Sequence, residues 1–224
     1  MVHIFDVDNT IIKHTSAWYF LRVAIRMNLI HISQLRRFPI EYFWYKLGRP
    51  NMDFVEKSCK YFANIDMNTL VQCANTTFTD YIKPNIFTKI AEKISSLQRS
   101  GEKVIFASSS LGLVIDPLEK YFGIEGSIAT ELEFRDGMTT GGLVGSSMFG
   151  AKKKDGVLNW LEYNNIKLDD ASFYSDSYTD IPLLELCGKP VAVNPDPFLA
   201  YQAKKRGWEI LRVMGTLGKN IDNL

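Results

Sequence analysis

The chain has 224 residues, 46% of them hydrophobic, and 26 basic against 25 acidic residues leave a formal net charge of +1. That length suits one sizeable domain, or a domain carrying an inserted module, around a packed core. So even a charge balance gives no global electrostatic case for nucleic acid, and no stretch approaches the uncharged apolar length that spans a bilayer.

The first seven residues, MVHIFDV, read as a buried strand, and strand-like sequence from Val2 leaves no room for a signal peptide. From about Thr15 to Ile82 apolar residues recur at helical spacing in four blocks. These are TSAWYFLRVAIRMNL, ISQLRRFPIEYFWYKLG, MDFVEKSCKYFANI and DMNTLVQCANTTFTDYI, so the segment is predicted to be wholly helical. Pro84 is expected to open a helix that runs to about Ser100 and stops at Gly101. The strand KVIFA follows at Lys103 to Ala107, then a helix from about Leu111 to Phe122. Residues 127–144 read as a hairpin turning at Asp136-Gly137. A helix beginning near Lys152 leads to the strand ASFYS at Ala171 to Ser175, a short helix after Pro182, and the strand PVAVN. Asp196-Pro197 supplies a cap and first-turn proline for a helix to Arg206, and WEILRV is the last strand. After residue 84, then, strands alternate with helices. That pattern predicts an α/β fold, a doubly wound, mostly parallel sheet, interrupted after its first strand by the helical block.

Open α/β sheets bind ligands beyond the carboxyl ends of their strands. Asp6 and Asp8 follow the first strand, Ser108-Ser109-Ser110 follow the second, and Asp176 follows ASFYS with Asp180 four residues on. Lys152-Lys153-Lys154 opens the intervening helix. Carboxylates at a strand end are costly to bury unpaired, and a metal ion is the obvious compensation. Two or three of them suit Mg²⁺, a lysine and hydroxyls suit a phosphoryl group, and a carboxylate can attack it. The three cysteines, Cys59, Cys73 and Cys187, fit neither a zinc pattern nor a disulfide framework and are expected to be buried thiols in a reducing cytoplasm. His3, His14 and His31 have no ligand-like spacing.

FDVDNT, the serine after KVIFA, the helix lysine and YSDSYTDIPLL resemble, in order, the four motifs of the haloacid dehalogenase (HAD) superfamily. The closest resemblance is to its phosphoserine-phosphatase-like branch, subfamily IB, and it includes RDGMTTGGLVG and GKPVAVNPDPFLAYQAKKRGWEIL. The resemblance implies a Rossmann-like catalytic core from residues 1–14 and 84–224 and a C1-type helical cap from 15–83. It implies a Mg²⁺-dependent phosphomonoester hydrolase acting on a small phosphorylated metabolite. Asp6 would be the nucleophile and a metal ligand, and Asp8 the general acid and then base, its carbonyl also on the metal. Asp176 would complete the metal site, with Asp180 positioning bound water or the lysine. Ser108, the Ser109 amide and the lysine would hold the transferring phosphoryl group, while Thr10 stabilises the turn. Lys153, 23 residues before Asp176, is the preferred lysine, with Lys154 the alternative.

Two features bear on substrate. The family's cap glutamate and arginine, which read phosphoserine, fall at Thr15 and Tyr61, and neither replaces a charge. Residues 17–47 carry Arg22, Arg26, Arg36, Arg37 and Lys46 against Glu41, among many aromatics. Such a run suits a membrane surface or the cap's own core, and the second is favoured. The motifs do not separate hydrolysis from transfer to an alcohol. A lipid phosphate remains an alternative substrate, and an inactive regulatory module would be expected to lack Asp6 or Asp8.

Overall fold

The computed structural model describes residues 1–31, 53–124 and 126–218. The predicted helix over 32–48 lies outside them. Strands β1 (Val2–Phe5), β2 (Lys103–Leu111), β3 (Ser127–Thr130), β6 (Ala171–Ser175), β7 (Lys189–Val193) and β8 (Glu209–Leu211) form one sheet. Its order is β3-β2-β1-β6-β7-β8 and every pairing is parallel. β1 lies at the centre, hydrogen-bonded on both sides and buried along its length. This is why VHIF lacks the alternation of a half-exposed strand.

Helices cover both faces. On one face α6 (Ala151–Tyr163), α7 (Ile181–Leu184) and α8 (Pro197–Arg206) pack Val157, Leu161, Leu183 and Leu199 against Val2 and Ile4. On the other face lie α4 (Thr88–Arg99) and α5 (Gly112–Phe122). The described parts of the segment between β1 and α4 carry α1 (Ser16–Arg26), α2 (Asp53–Cys59) and α3 (Met67–Thr77), followed by tighter and wider single turns to Asn85. Its Tyr19, Phe20, Cys59, Leu70 and Cys73 share one apolar cluster with Phe5 and Phe106 of the sheet and with Val7 just beyond β1.

The structure corrects three expectations. Pro84 sits in a single 3₁₀ turn, and α4 opens only at Thr88. Between them Ile86 and Phe87 are extended and buried, bridging Ile12 and Thr216, so tertiary pairing overrides the proline's local preference. Residues 127–144 are not one hairpin. β3 pairs in parallel with β2, and only β4 (Leu132–Arg135) and β5 (Met138–Leu143) form the hairpin. Its turn is as predicted, since Asp136 and Gly137 both have positive φ, 52° and 79°, the requirement of a type I′ turn. Finally, the strand KVIFA continues to Leu111, carrying Ser108, Ser109 and Ser110 within it.

The hairpin is stitched to the helical segment through main-chain atoms. Asn64 N donates to Thr139 O, Thr139 N to Ile65 O, and Met67 N to Gly137 O, at 2.8–2.9 Å. Gly141, at φ 76°, lets this contact close, because a Cβ there would stand 2.9 Å from the Ala63 methyl.

Candidate active site

The chain reverses its direction of winding between β1 and β6, and the loops after these two strands flank one cleft. This is the switch point at which open α/β sheets bind ligands. The cleft encloses about 130 Å³.

The side chains of Val2 and Ile4 face α6, and the two-residue period of a strand sends Asp6 the same way. On α6, Lys153, Val157 and Leu161 recur at intervals of four and all are buried. One helical face therefore delivers an ammonium group to the end of β1. Lys153 Nζ lies 2.7 Å from Asp6 Oδ1 and 2.9 Å from Asp180 Oδ2. Ser175 Oγ donates to the same Asp180 oxygen at 2.7 Å, and Thr10 Oγ1 to Asp6 Oδ2 at 3.3 Å. Burial alone would push the Lys153 ammonium down, but Asp180 and Asp6 overcome it and hold the lysine charged. Burial lifts Asp6 to about 7, although Lys153 pulls it down. Asp180 stands at the N-cap position of α7 but makes no side-chain cap bond, because its carboxylate is turned to Lys153 and Ser175.

Asp8 is held differently. Ser16 N donates to its Oδ1 at 2.8 Å and Ser110 Oγ to its Oδ2 at 3.0 Å. Burial pushes its pKa up, and these hydrogen bonds pull the other way. Asp176 is raised well above the ordinary carboxylate value by burial and by the charges of Asp6 and Asp180. Its loop is clamped by Asp196, whose N–H donates to Asp176 O while its carboxylate accepts from Tyr178 N and Leu199 N.

Asp6, Asp8, Ser109, Lys153, Asp176 and Asp180 all line the cleft. Ser108 does not, being 1% exposed, with its hydroxyl accepting from Ser110 N at 3.1 Å. Of the three lysines, Lys153 alone is buried, for Lys154 is half-buried and Lys152 exposed. The sequence reading missed Ser16, Ser110 and Ser175 as partners of the carboxylates. Ser110 shares its strand face with Ser108, two residues earlier, a signal the extended β2 makes readable.

Five aspartates, Asp196 beside Asp6, Asp8, Asp176 and Asp180, line the cleft against one buried lysine and leave it short of positive charge, and every candidate donor is oxygen. This fits Mg²⁺, which takes oxygen ligands and keeps several waters, so that few protein ligands suffice. Among the described residues no three His, Cys, Asp or Glu side chains close into a metal cage. No described helix is long and apolar enough to cross a membrane. In the described part of the basic, aromatic run, Arg22 lies over the Tyr81 ring, Arg26 pairs with Asp80, and Tyr19 and Phe20 are buried. The rest lies outside the described residues.

Comparison with known proteins gives a concordant result. Residues 4–185 match the family model described as haloacid dehalogenase-like hydrolase. A histidinol-phosphatase of Neisseria meningitidis serogroup C is 31% identical over 214 residues, covering 93% of this chain and 96% of that protein. A Bordetella pertussis protein of unknown function superposes with a TM-score of 0.85 at 27% identity, over 94% of this chain and 97% of that one. A substrate-bound phosphoserine phosphatase shares the fold, with a TM-score of 0.68 at 16% identity over 94% and 91% of the two chains.

Proposed function

This chain belongs to the haloacid dehalogenase-like hydrolase family, among its phosphoserine-phosphatase-like enzymes, and from that premise we propose a Mg²⁺-dependent phosphomonoester hydrolase that works through an aspartyl-phosphate. The observation that carries the reading is the buried Lys153 shared by Asp6 and Asp180 beside a separately held Asp8. Asp6 attacks phosphorus; the Asp6 O–P bond forms as the ester P–O bond breaks. Asp8 gives its proton to the departing alkoxide. As a carboxylate it then takes a proton from water, whose oxygen displaces Asp6 and releases inorganic phosphate. Lys153 and the Ser109 amide contact the phosphoryl oxygens, with the Ser108 hydroxyl behind them. Asp6, Asp176 and the Asp8 carbonyl would hold Mg²⁺, with Asp180 supporting them, and the ion would neutralise charge developing on the phosphoryl group.

In this reading residues 15–83 form a cap over a core of 1–14 and 84–224, and Thr15, which lines the cleft, belongs to its substrate-facing wall. The substrate is a small phosphorylated alcohol. Three free, buried cysteines suit a cytoplasmic enzyme.

The test is phosphate release with Mg²⁺ from histidinol phosphate, phosphoserine, sugar phosphates, nucleotides and lipid phosphates. Turnover abolished by EDTA and by Asp6→Asn supports the reading. A folded, Mg²⁺-binding protein that turns over no member opposes it. A new phosphoester formed in the presence of an added alcohol would redirect the proposal to phosphotransfer.

A further inference from the structure

Both oxygens of Asp8 are tied to uncharged donors from segments far apart in the chain. Ser16 N meets Oδ1, and Ser110 Oγ meets Oδ2. A third bond closes the group, since Ser16 Oγ and Ser110 Oγ lie 2.7 Å apart. The proton order follows from chemistry. A carboxylate only accepts, so the single Ser110 proton goes to Asp8, and the Ser16 hydroxyl must then donate to Ser110. Ser16 is fully buried and Ser110 is 7% exposed, so no bulk water competes for these bonds.

Ser16 is also the first residue of α1, whose opening N–H groups have no partner within the helix. Thr15, in the N-cap position, gives no side-chain cap bond, and the first turn holds no acidic residue. Asp8 takes that place from eight residues upstream, where the helix dipole favours negative charge. The carboxylate plane is thus clamped between the start of α1 and the end of β2. Each oxygen keeps a lone pair for a proton travelling to or from the cleft that Asp8 lines.

We infer that Ser110, oriented by Ser16, is the positioning residue for the general acid and base, a relay that aims Asp8 at the leaving-group oxygen. The inference rests on the proposed role of Asp8. Uncharged donors suit that role, because the group must both lose and regain a proton, and a lysine in the same place would lock it ionised.

Leaving-group dependence separates aim from architecture. A leaving group that is already acidic departs without help, whereas an alkoxide needs the proton. The experiment measures KM and the pre-steady-state rate of alcohol release, the step that uses the acid and precedes the attack of water, for the wild type, Ser110→Ala, Ser110→Thr, Ser16→Ala, the double alanine variant and Asp8→Asn. The substrates are p-nitrophenyl phosphate, phenyl phosphate and an aliphatic phosphomonoester, with Mg²⁺ throughout. General acid–base catalysis contributes about 10²–10⁴-fold, and misaiming should forfeit part of it. For Ser110→Ala we expect a fall of about 10- to 100-fold in the rate of alcohol release from the aliphatic ester and under about threefold from the nitrophenyl ester, with KM little changed. Near-normal pre-steady-state release of nitrophenol certifies the fold. Ser110→Thr keeps the hydroxyl and restores the aliphatic rate. Ser16→Ala keeps the N–H bond and gives the same pattern more weakly, and the double variant loses no more than Ser110→Ala alone. Equal losses on all three esters, or none, for Ser110→Ala beside a steep Asp8→Asn would overturn the relay. Should Ser110→Ala fail to fold, a flat Ser16→Ala profile does so instead. A flat Asp8→Asn profile would remove the role of Asp8 itself, and additive losses in the double variant would remove Ser16 from the relay.

Discussion

Asp6 and Asp8 stand two residues apart at the end of one strand, yet they are held by opposite kinds of chemistry. Around Asp6 the structure gathers full charges: Lys153 bridges it to Asp180, and Ser175 steadies the second carboxylate. Around Asp8 it gathers only neutral donors, one main-chain N–H and one hydroxyl. In the proposed mechanism Asp6 is the nucleophile and must stay ionised until it attacks, and a fixed ammonium group favours that state. An acid–base group has to change state twice per turnover, and uncharged hydrogen bonds tolerate either state. The difference teaches that neighbouring carboxylates can be assigned by their partners as well as by their order in a motif.

The largest test of this contrast is Lys153→Met. Removing one member of a buried ion pair costs about 3–5 kcal/mol, because the remaining charges are left uncompensated. Phosphate release should fall to background, and urea unfolding at pH 7 should show a deficit of that size. The deficit should shrink at pH 5, where Asp6, lifted by burial to about 7, is protonated. A variant as stable as wild type would break the contrast.

Next comes the metal-free protein in EDTA. Asp6, at about 7, and Asp176, well above its ordinary value, keep protons in the folded state that the unfolded chain has already released. Fewer protons bound to the unfolded state means that stability falls as pH rises. The penalty is absent below about pH 4 and develops towards about pH 7, so Tm should decline across that window. Saturating Mg²⁺ at neutral pH should reverse the decline by about 2.7 kcal/mol at a hundredfold excess over Kd.

A smaller effect is expected from Asp176→Asn, which removes one of the crowded carboxylates. Its metal-free Tm at pH 7 should rise by about 2–4 °C per kcal/mol relieved, while Mg²⁺-dependent activity is lost. A lower Tm would mean that Asp176 is already compensated without metal. The smallest effect belongs to Lys154→Ala, one residue from the buried lysine. Stability within about 0.5 kcal/mol of wild type and near-normal turnover are expected. A loss comparable to that of Lys153→Met would reopen the choice between the two lysines.

Where signals were local, the sequence carried them. The alternation of strands and helices after residue 84, the Asp136-Gly137 turn and the burial of β1 all follow from periodicity and turn chemistry. Non-local pairing was invisible. β3 belongs to β2, but the strong turn nearby drew residues 127–130 into the hairpin reading. Pro84 suggested a helix start, yet pairing to Ile12 and Thr216 keeps the next residues extended. In the site, the four-residue spacing of Lys153, Val157 and Leu161 marks a helix face readable in one dimension. Ser16 and Ser110 are separated by 94 positions and look like ordinary polar residues, so only the fold brings them to one carboxylate.

The central place of β1 has a consequence for how the molecule comes into being. This strand pairs with β2, about a hundred residues downstream, and with β6, 169 residues downstream. At a synthesis rate of about 5–20 residues per second, the ribosome needs roughly 9–34 s between making Phe5 and making Ser175. Through that interval the most apolar strand of the sheet has no partner on its β6 edge, and Asp6 has been made before both residues it later shares. A nascent chain stalled before α6 therefore carries Asp6 without Lys153 or the Asp180 that shares it.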